Sequence, residues 1–234
     1  MAKSTNDSHQ AETISVSVII CTLNEAKNLP FVLQGIPSWI SEVILVDGYS
    51  ADSTVEIARQ LLPSVRILQQ PGKGKGNAII HGSNSANGEI IIILDADGSM
   101  DPGELHRFVT TIMQGYDICK GSRFLKGGRT EDMPMYRAFG NWCFTVLTNL
   151  LYGSRYTDLT YGYLGYRRDA WLLIRPKSQG FTIETEILIR AKKKGLKVIE
   201  IPSYERKRLS GKGNLRSFRD GSKILWTILR ERFS

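Results

Sequence analysis

The sequence predicts an α/β fold with a mainly parallel central sheet flanked by helices. Short β-branched runs alternate with longer amphipathic stretches, the pattern of βαβ units. Three of those runs end in acidic or hydroxyl residues, which places chemistry on the carboxyl rim of the sheet, where open α/β sheets bind ligands. A chain of 234 residues, 41% hydrophobic and 23% charged, is sized for one core of ordinary globular composition.

In chain order, residues 15–21 read as the first strand and 29–36 as a helix. Residues 42–46 form a second strand, followed by a helix over 51–62 with Asp52 as its cap. A third strand at 65–69, a helix at 76–85 and a very apolar strand at 89–94 complete the first half. The next helix has an explicit start: Asp101 at the cap, Pro102 in the first turn and Glu104 three residues after the cap. Residues 116–120 read as a strand and 121–131 as a Gly-rich charged loop. Residues 135–152 read as a long helix, apolar on more than one face, which either packs wholly into the core or meets a lipid chain. A strand at 162–166, a helix at 183–194, a strand at 197–201, a basic loop at 204–214 and a last helix to residue 232 finish the chain.

The expected organisation is a polar, disordered tail at 1–13, a domain at 14–215 and a basic amphipathic helix at 216–234. Within the domain, 14–120 forms the ligand-binding half and 121–215 the acceptor half. The tail has no apolar core of the kind a secretory leader needs, and no run reaches the ~18–20 apolar residues of a membrane span. The last helix suits a membrane interface and a docked terminal helix equally. Net charge +8 favours anionic partners without choosing among them. Cys21, Cys119 and Cys143, odd in number and in apolar contexts, read as buried thiols of a reducing compartment. Cytoplasmic location, with a peripheral seat on the cytoplasmic membrane face as an option, follows as the expectation.

The sharpest chemical signal is Asp95-Ala96-Asp97 directly after the apolar strand. Two carboxylates one residue apart at a strand end can both reach a divalent cation, and oxygen ligands suit Mg²⁺ or Mn²⁺. The same tripeptide is also ordinary turn chemistry. Thr22, Asn24 and Glu25 follow the first strand and Asp47 ends the second. The segment PGKGKG at 71–76 is a basic loop opening a helix, a phosphate cradle or a mobile surface loop. It lacks both the Walker A pattern and the dinucleotide fingerprint. His9, His81 and His106 have no catalytic spacing.

The segments SVIICTLNEAKNLP, VILVDGYSADST, GKGKGNAI, IIIILDADGSMDP, KGSRF, TDLTYGYLGYRR, GFTIETEILIRA and RLSGKGNL stand in collinear order. Together they resemble the family 2 glycosyltransferases of GT-A fold, most closely the polyprenol (dolichol) phosphate mannosyltransferase group, over residues 14–215. The resemblance implies that Thr22, Asn24, Glu25 and Asp47 hold a nucleoside, with Lys75, Ala96 and Arg123 also on the nucleotide sugar. Asp95 and Asp97 would bind Mg²⁺ or Mn²⁺ on the diphosphate, with Ser99 in place of the family's glutamine as a weak or water-bridged ligand. Arg123, Arg137 and Arg208 would contact phosphates, and Asp158 would orient an arginine or the sugar. Glu186, in a segment that also carries Glu184, would be a general base if the acceptor is a hydroxyl. The departures are Cys21, Leu23, Gly48, Ser99, Gly213 and Asn214, the last offset by Lys212 or Arg216.

The implied reaction is metal-dependent, inverting transfer of a hexose, mannose or glucose, from a GDP- or UDP-linked donor to a polyprenyl phosphate. A hydroxyl acceptor on a glycan or small molecule, with Glu186 as base, is the alternative. A sugar-phosphate nucleotidyltransferase lacks its Gly- and Arg-rich loop here, where the chain reads CTLNEAKNL. A non-catalytic nucleic-acid-binding domain is suggested by charge alone; no nucleic-acid partner is expected.

Overall fold

The computed structural model describes residues 14–211 and 217–233. The predicted N-terminal tail and the candidate residues Lys212, Gly213, Asn214 and Arg216 lie outside them.

The first half is built from β1 (Val16–Thr22), α1 (Leu29–Gln34), β2 (Glu42–Asp47), α2 (Thr54–Leu61), β3 (Arg66–Gln69), α3 (Lys75–Ser85) and β4 (Ile90–Asp95). A 3₁₀ turn, Pro102–Glu104, leads into α4 (Leu105–Met113). Then come β5 (Ile118–Ser122), β6 (Arg129–Thr130), α5 (Met135–Tyr152), β7 (Leu164–Arg167), α6 (Arg168–Ile174), α7 (Ile183–Lys193), β8 (Val198–Pro202), β9 (Tyr204–Glu205) and α8 (Ser217–Arg230).

Seven strands form one sheet in the order β3-β2-β1-β4-β7-β5-β8, and β6 pairs with β9 in a small parallel ribbon. Every pairing in the large sheet is parallel except those of β7, which runs antiparallel between β4 and β5. The sheet is therefore mostly parallel, as the sequence predicts.

Alternation along the strands divides the core. Val18, Ile20, Leu45, Ile92 and Leu94 face one side with Leu29, Leu105 and Phe108. Ile19, Ile44, Val46, Ile91 and Ile93 face the other with Ile79, Ile187 and Ile228. Strands buried on both faces read as unbroken apolar runs, which is why β4 begins with four isoleucines. Helix α3 lies close on its face because Gly82 has no side chain: a Cβ there would come within 2.7 Å of Ile19 Cγ2 and 2.9 Å of Val46 Cγ2. That approach fixes where Lys75, the first residue of α3, emerges at the rim.

Asp101 caps the 3₁₀ turn, accepting from Gly103 N at 2.9 Å. Glu104 does not close a capping box; its carboxylate accepts from Ser203 Oγ (2.5 Å) and Tyr204 N (3.2 Å) on the far strand. Asp52 is one residue early for a helix cap, since α2 starts after Ser53. It accepts from Thr54 N and Oγ1 and from Ala26 N, stapling the loop after β1 to the loop after β2. Helix α6 continues directly from β7 and has no counterpart in the sequence reading.

Of the two readings of helix α5, wholly core-packed or partly in contact with a lipid chain, the structure rules out the first. It buries Asn141, Thr145 and Thr148, while Met135 is 89% exposed and Tyr136, Phe139, Trp142 and Leu150 are also exposed. Helix α8 is two-faced: Ile224, Thr227 and Ile228 are buried, and Phe218 (93% exposed) and Trp226 face outward. Among the described residues no helix is long and apolar enough to cross a membrane.

Candidate active site

The carboxyl ends of β2, β1 and β4 are neighbours, with Thr22 in register with Asp47 and Cys21 with Asp95. Above them lies a cavity of about 1020 Å³. Its polar floor includes Thr22, Glu25, Lys75, Asp95, Asp97 and Arg208. It extends into an apolar end lined by Tyr136, Phe144, Phe218, Ile224 and Leu225, between α5 and α8.

At the floor, charges are paired across elements distant in sequence. Lys75 Nζ is 2.8 Å from Asp95 Oδ1 and 3.1 Å from Glu184 Oε1. Burial works against the charge of Lys75, but Asp95 and Glu184 outweigh it and raise its pKa above the ordinary lysine value. Burial raises the pKa of Glu184 despite the neighbouring ammonium. Arg208 bridges the two loops, with Nη1 2.9 Å from Glu25 Oε1 and Nη2 3.0 Å from Asp97 Oδ2. Cys21, beside them, has a thiol pushed up to about 12 by burial, so it stays neutral.

Asp95 and Asp97 supply only oxygen donors, and among the described residues no group of three or more His, Cys, Asp or Glu is placed to hold a metal ion. Two carboxylates opening on a cavity fit a hard cation that completes its shell with substrate phosphates and water. Ser99 orients one of the two carboxylates: its hydroxyl and backbone N–H both donate to Asp97 Oδ1, at 2.7 and 3.0 Å.

Several further candidates are placed differently from their expected roles. Each nitrogen of the Arg123 guanidinium is already engaged: Nε and Nη2 with Asp158 (2.7 and 2.9 Å), Nη1 with Glu205 (3.0 Å), and Nη2 also with Thr160 Oγ1 (3.1 Å). Its Cζ lies 4.7 Å from the Tyr161 ring centroid. Arg123 is thus a buried strut of the cavity wall rather than a free phosphate ligand, and Asp158 orients it. Burial opposes the charge on Asp158, but Lys120 and Arg123 outweigh it and hold the carboxyl well below the usual range.

Asp47 sits behind the cavity wall. It accepts from Thr22 Oγ1 (3.2 Å), Ser50 Oγ (2.6 Å) and Ser50 N (3.0 Å), folding the turn that presents Gly48 and Tyr49 to the cavity. Tyr49 is held at φ +65° there, a conformation rare for a side chain of that size. Asn24, at φ +58°, uses its side chain to accept from Ala51 N at 2.7 Å and does not reach the cavity.

Glu184 and Glu186 lie two positions apart on α7, so they point to opposite sides of the helix. Glu184 lines the cavity. Glu186 is fully buried away from it, accepting from Lys177 N (3.0 Å) and Ser178 N (2.6 Å), which removes it as a general base. Arg137 does line the cavity, donating from Nε to Ser217 Oγ at 2.9 Å. Of the cysteines, only Cys119 is fully buried; Cys21 and Cys143 are half-buried.

The sequence reading missed Glu205, Tyr49 and Gln70, all of which line the cavity, and offered α5 as a lipid-contacting helix only as one of two alternatives. Only Tyr49 carried a local signal, the turn-forming D-G-Y-S context.

This sheet order, with the cavity at the rim of β1 and β4, is that of the GT-A glycosyltransferases. Residues 17–172 match glycosyl transferase family 2, and the chain belongs to that family. It is 31% identical over 199 residues to a dolichol-phosphate mannosyltransferase of Pyrococcus furiosus, covering 81% of this chain and 56% of that protein. It is also 31% identical over 218 residues to a dolichyl-phosphate hexose transferase of Haloferax volcanii, covering 92% of each. Among solved structures, glucosyl-3-phosphoglycerate synthase from Mycobacterium tuberculosis, in complex with Mn²⁺, UDP and glucosyl-3-phosphoglycerate, shares the fold. Its TM-score is 0.75 at 18% identity, over 94% of this chain and 80% of that one.

Proposed function

We propose that the protein transfers a hexose, mannose or glucose, from a nucleoside-diphosphate sugar to a polyprenyl phosphate, with inversion at the anomeric carbon. The observation that carries this reading is the two-ended cavity: a charged floor that fits a diphosphate, continuous with an apolar end that fits an isoprenoid chain. The names of the two relatives support the lipid-phosphate acceptor. Residues 14–215 would form the transferase domain, and 216–234 its terminal segment.

Thr22, Glu25 and the Gly48–Tyr49 turn would receive the nucleoside, whose base is guanine or uracil. Asp95 and Asp97 would hold Mg²⁺ or Mn²⁺, which neutralises charge on the leaving diphosphate when bound. An oxygen of the acceptor phosphate, already anionic at neutral pH, attacks the anomeric carbon as the bond to the donor's β-phosphate oxygen breaks. Lys75 and Arg208 can turn from their carboxylate partners to the phosphates, giving the leaving group fixed positive charge. Arg137 stands toward the acceptor side. Such an acceptor needs no proton removed, consistent with Glu184 being tied to Lys75. A hydroxyl acceptor, by contrast, loses its proposed base with the placement of Glu186.

A thermal-shift panel of GDP, UDP, GDP-mannose and UDP-glucose, each with Mn²⁺ or EDTA, tests the donor site. One nucleotide series should stabilise in a metal-dependent way, by about 2.7 kcal/mol at 100 times its dissociation constant. Asp97→Ala should abolish the shift. Stabilisation by none of them, with a short polyprenyl phosphate present as well, would sink the reading.

Exposed Trp226 and Leu229, beside exposed Arg219, Lys223 and Arg230 on α8, support a seat on an anionic membrane surface. In co-sedimentation with phosphatidylglycerol-containing vesicles, the double substitution Trp226→Ser, Leu229→Ser should release the protein while leaving the nucleotide shift intact. Retained binding would reject this seat.

A further inference from the structure

We infer that Glu186 is a positioning residue for the donor-binding loop, acting through the backbone of residues 177–180 on the glycine–lysine segment that carries Lys75. The inference rests on the donor reading above.

The contact begins with two glycines that can be nothing else. A Cβ on Gly74, whose φ is +93°, would come within 2.5 Å of Gln179 O, and one on Gly76 within 2.1 Å of Ser178 O. Of the two readings of this segment, phosphate cradle or mobile surface loop, the second does not hold: the segment is laid directly against residues 177–180. Hydrogen bonds close the contact: Asn77 N donates to Gln179 O at 3.0 Å, and Asn77 Nδ2 to Gln179 Oε1 at 2.6 Å. Asn77 Oδ1 turns back to accept from Gly72 N at 2.9 Å, so one side chain ties the start of the loop to its support. Lys75 lies between these anchors.

The support is itself held by Glu186. Its Oε2 accepts the N–H groups of Lys177 and Ser178, both within 3.0 Å. Its Oε1 lies 2.7 Å from Arg190 Nη2. Arg190 in turn meets Glu231, just after α8, through Nε (2.9 Å) and Nη2 (3.0 Å). Arg230 also approaches both Glu186 and Glu231. A buried carboxylate that receives two consecutive backbone donors fixes the course of a loop more strongly than neutral partners do. An amide in its place presents its NH₂ to a backbone donor or to the Arg190 cation. The end of α8 and the placement of Lys75 are therefore linked through a continuous set of contacts.

The test uses Glu186→Gln in the full chain, with UDP and GDP as probes, each with Mn²⁺ or EDTA. The dissociation constant of whichever nucleotide the wild type binds should rise about 3–30-fold, the range seen for residues that act through such networks. Donor KM should rise with it and kcat should fall by less than the loss expected for Lys75→Met, while acceptor KM stays within twofold. Amide hydrogen exchange at residues 72–77 should accelerate. Gly74→Ala attacks the same contact from the other side and should reproduce the pattern, and the double variant should lose less than the sum of the two. A Glu186→Gln protein with a lowered melting temperature but unchanged nucleotide affinity and unchanged exchange at 72–77 overturns the inference, leaving Glu186 a structural residue only. A fall in kcat with an altered pH–rate profile and intact donor affinity overturns it in favour of direct chemistry. If the wild type binds neither nucleotide, the donor reading fails, and exchange at 72–77 still decides whether Glu186 governs this loop.

Discussion

Asp158→Asn is expected to cost about 3–5 kcal/mol of stability, the usual penalty for breaking a buried ion pair from one side. Asn keeps the volume, but its NH₂ replaces an oxygen that accepts from Arg123. The guanidinium is left with Glu205, and the buried Lys120 loses the first of its neighbouring carboxylates. Urea denaturation at pH 7 would show this as a lowered midpoint. The gap should also depend on pH in a definite way. A carboxyl held below its unfolded value contributes fully above that value, near pH 4, and its contribution fades as pH falls through the lower folded value. The difference between the two proteins should therefore be flat from pH 7 to about 4 and shrink only below that. A gap under about 1 kcal/mol at pH 7 would mean that Glu205 and Tyr161 hold Arg123 unaided.

Lys75→Met should lower kcat by about 10²–10³-fold, the range found when one fixed charge donor is lost from a transition state. The substitution keeps the stem and removes the ammonium that sits 2.8 Å from Asp95 and 3.1 Å from Glu184. Because these two carboxyls hold the lysine above its ordinary pKa, the ammonium persists through pH 10. In the loaded enzyme the donor phosphates take the place of those carboxyls beside the ammonium, so an alkaline fall in wild-type activity below that pH is expected to come from another group. Steady-state rates at saturating donor across pH 6–10, for both proteins, check both statements. Activity within threefold of wild type would remove Lys75 from the phosphates.

The parallel part of the fold was legible because its signals are local. Strands buried on both faces are short apolar runs, and each rim residue directly follows one. The antiparallel β7 was not legible: nothing in its four residues distinguishes insertion between β4 and β5 from an edge position. Helix α6 was hidden because Arg167 and Arg168 join it to β7 without a Gly, Pro or other break.

At the site, residue types were readable and partners were not. Arg123 has the chemistry of a phosphate ligand, and only residues 35 and 82 positions away commit it to the wall. Glu184 and Glu186 are alike in sequence, and the rotation of α7 about its axis, which fixes which of them meets the cavity, comes from packing. Helix α5 shows the same limit from the other direction. Its apolar residues ring the helix, so hydropathy could not reveal that Asn141, Thr145 and Thr148 form its buried stripe.

The position of β7 also has a consequence in time. On the ribosome, β1 to β4 are complete once Asp95 has emerged, but the strand that covers β4 begins only at Leu164. Strand β5 is made earlier yet has no place in the sheet until β7 arrives, since its partners are β7 and β8. At roughly 5–20 residues per second, the last residue of β4 precedes the first of β7 by about 3–14 s. Throughout that interval a finished parallel half-sheet presents an open edge made of Ile90, Ile91, Ile92 and Ile93. An edge of that kind is a template for strand addition by any neighbouring chain. The nascent protein is thus a natural client for a ribosome-associated chaperone over this stretch of its synthesis, and slower translation between residues 96 and 163 would lengthen the exposure.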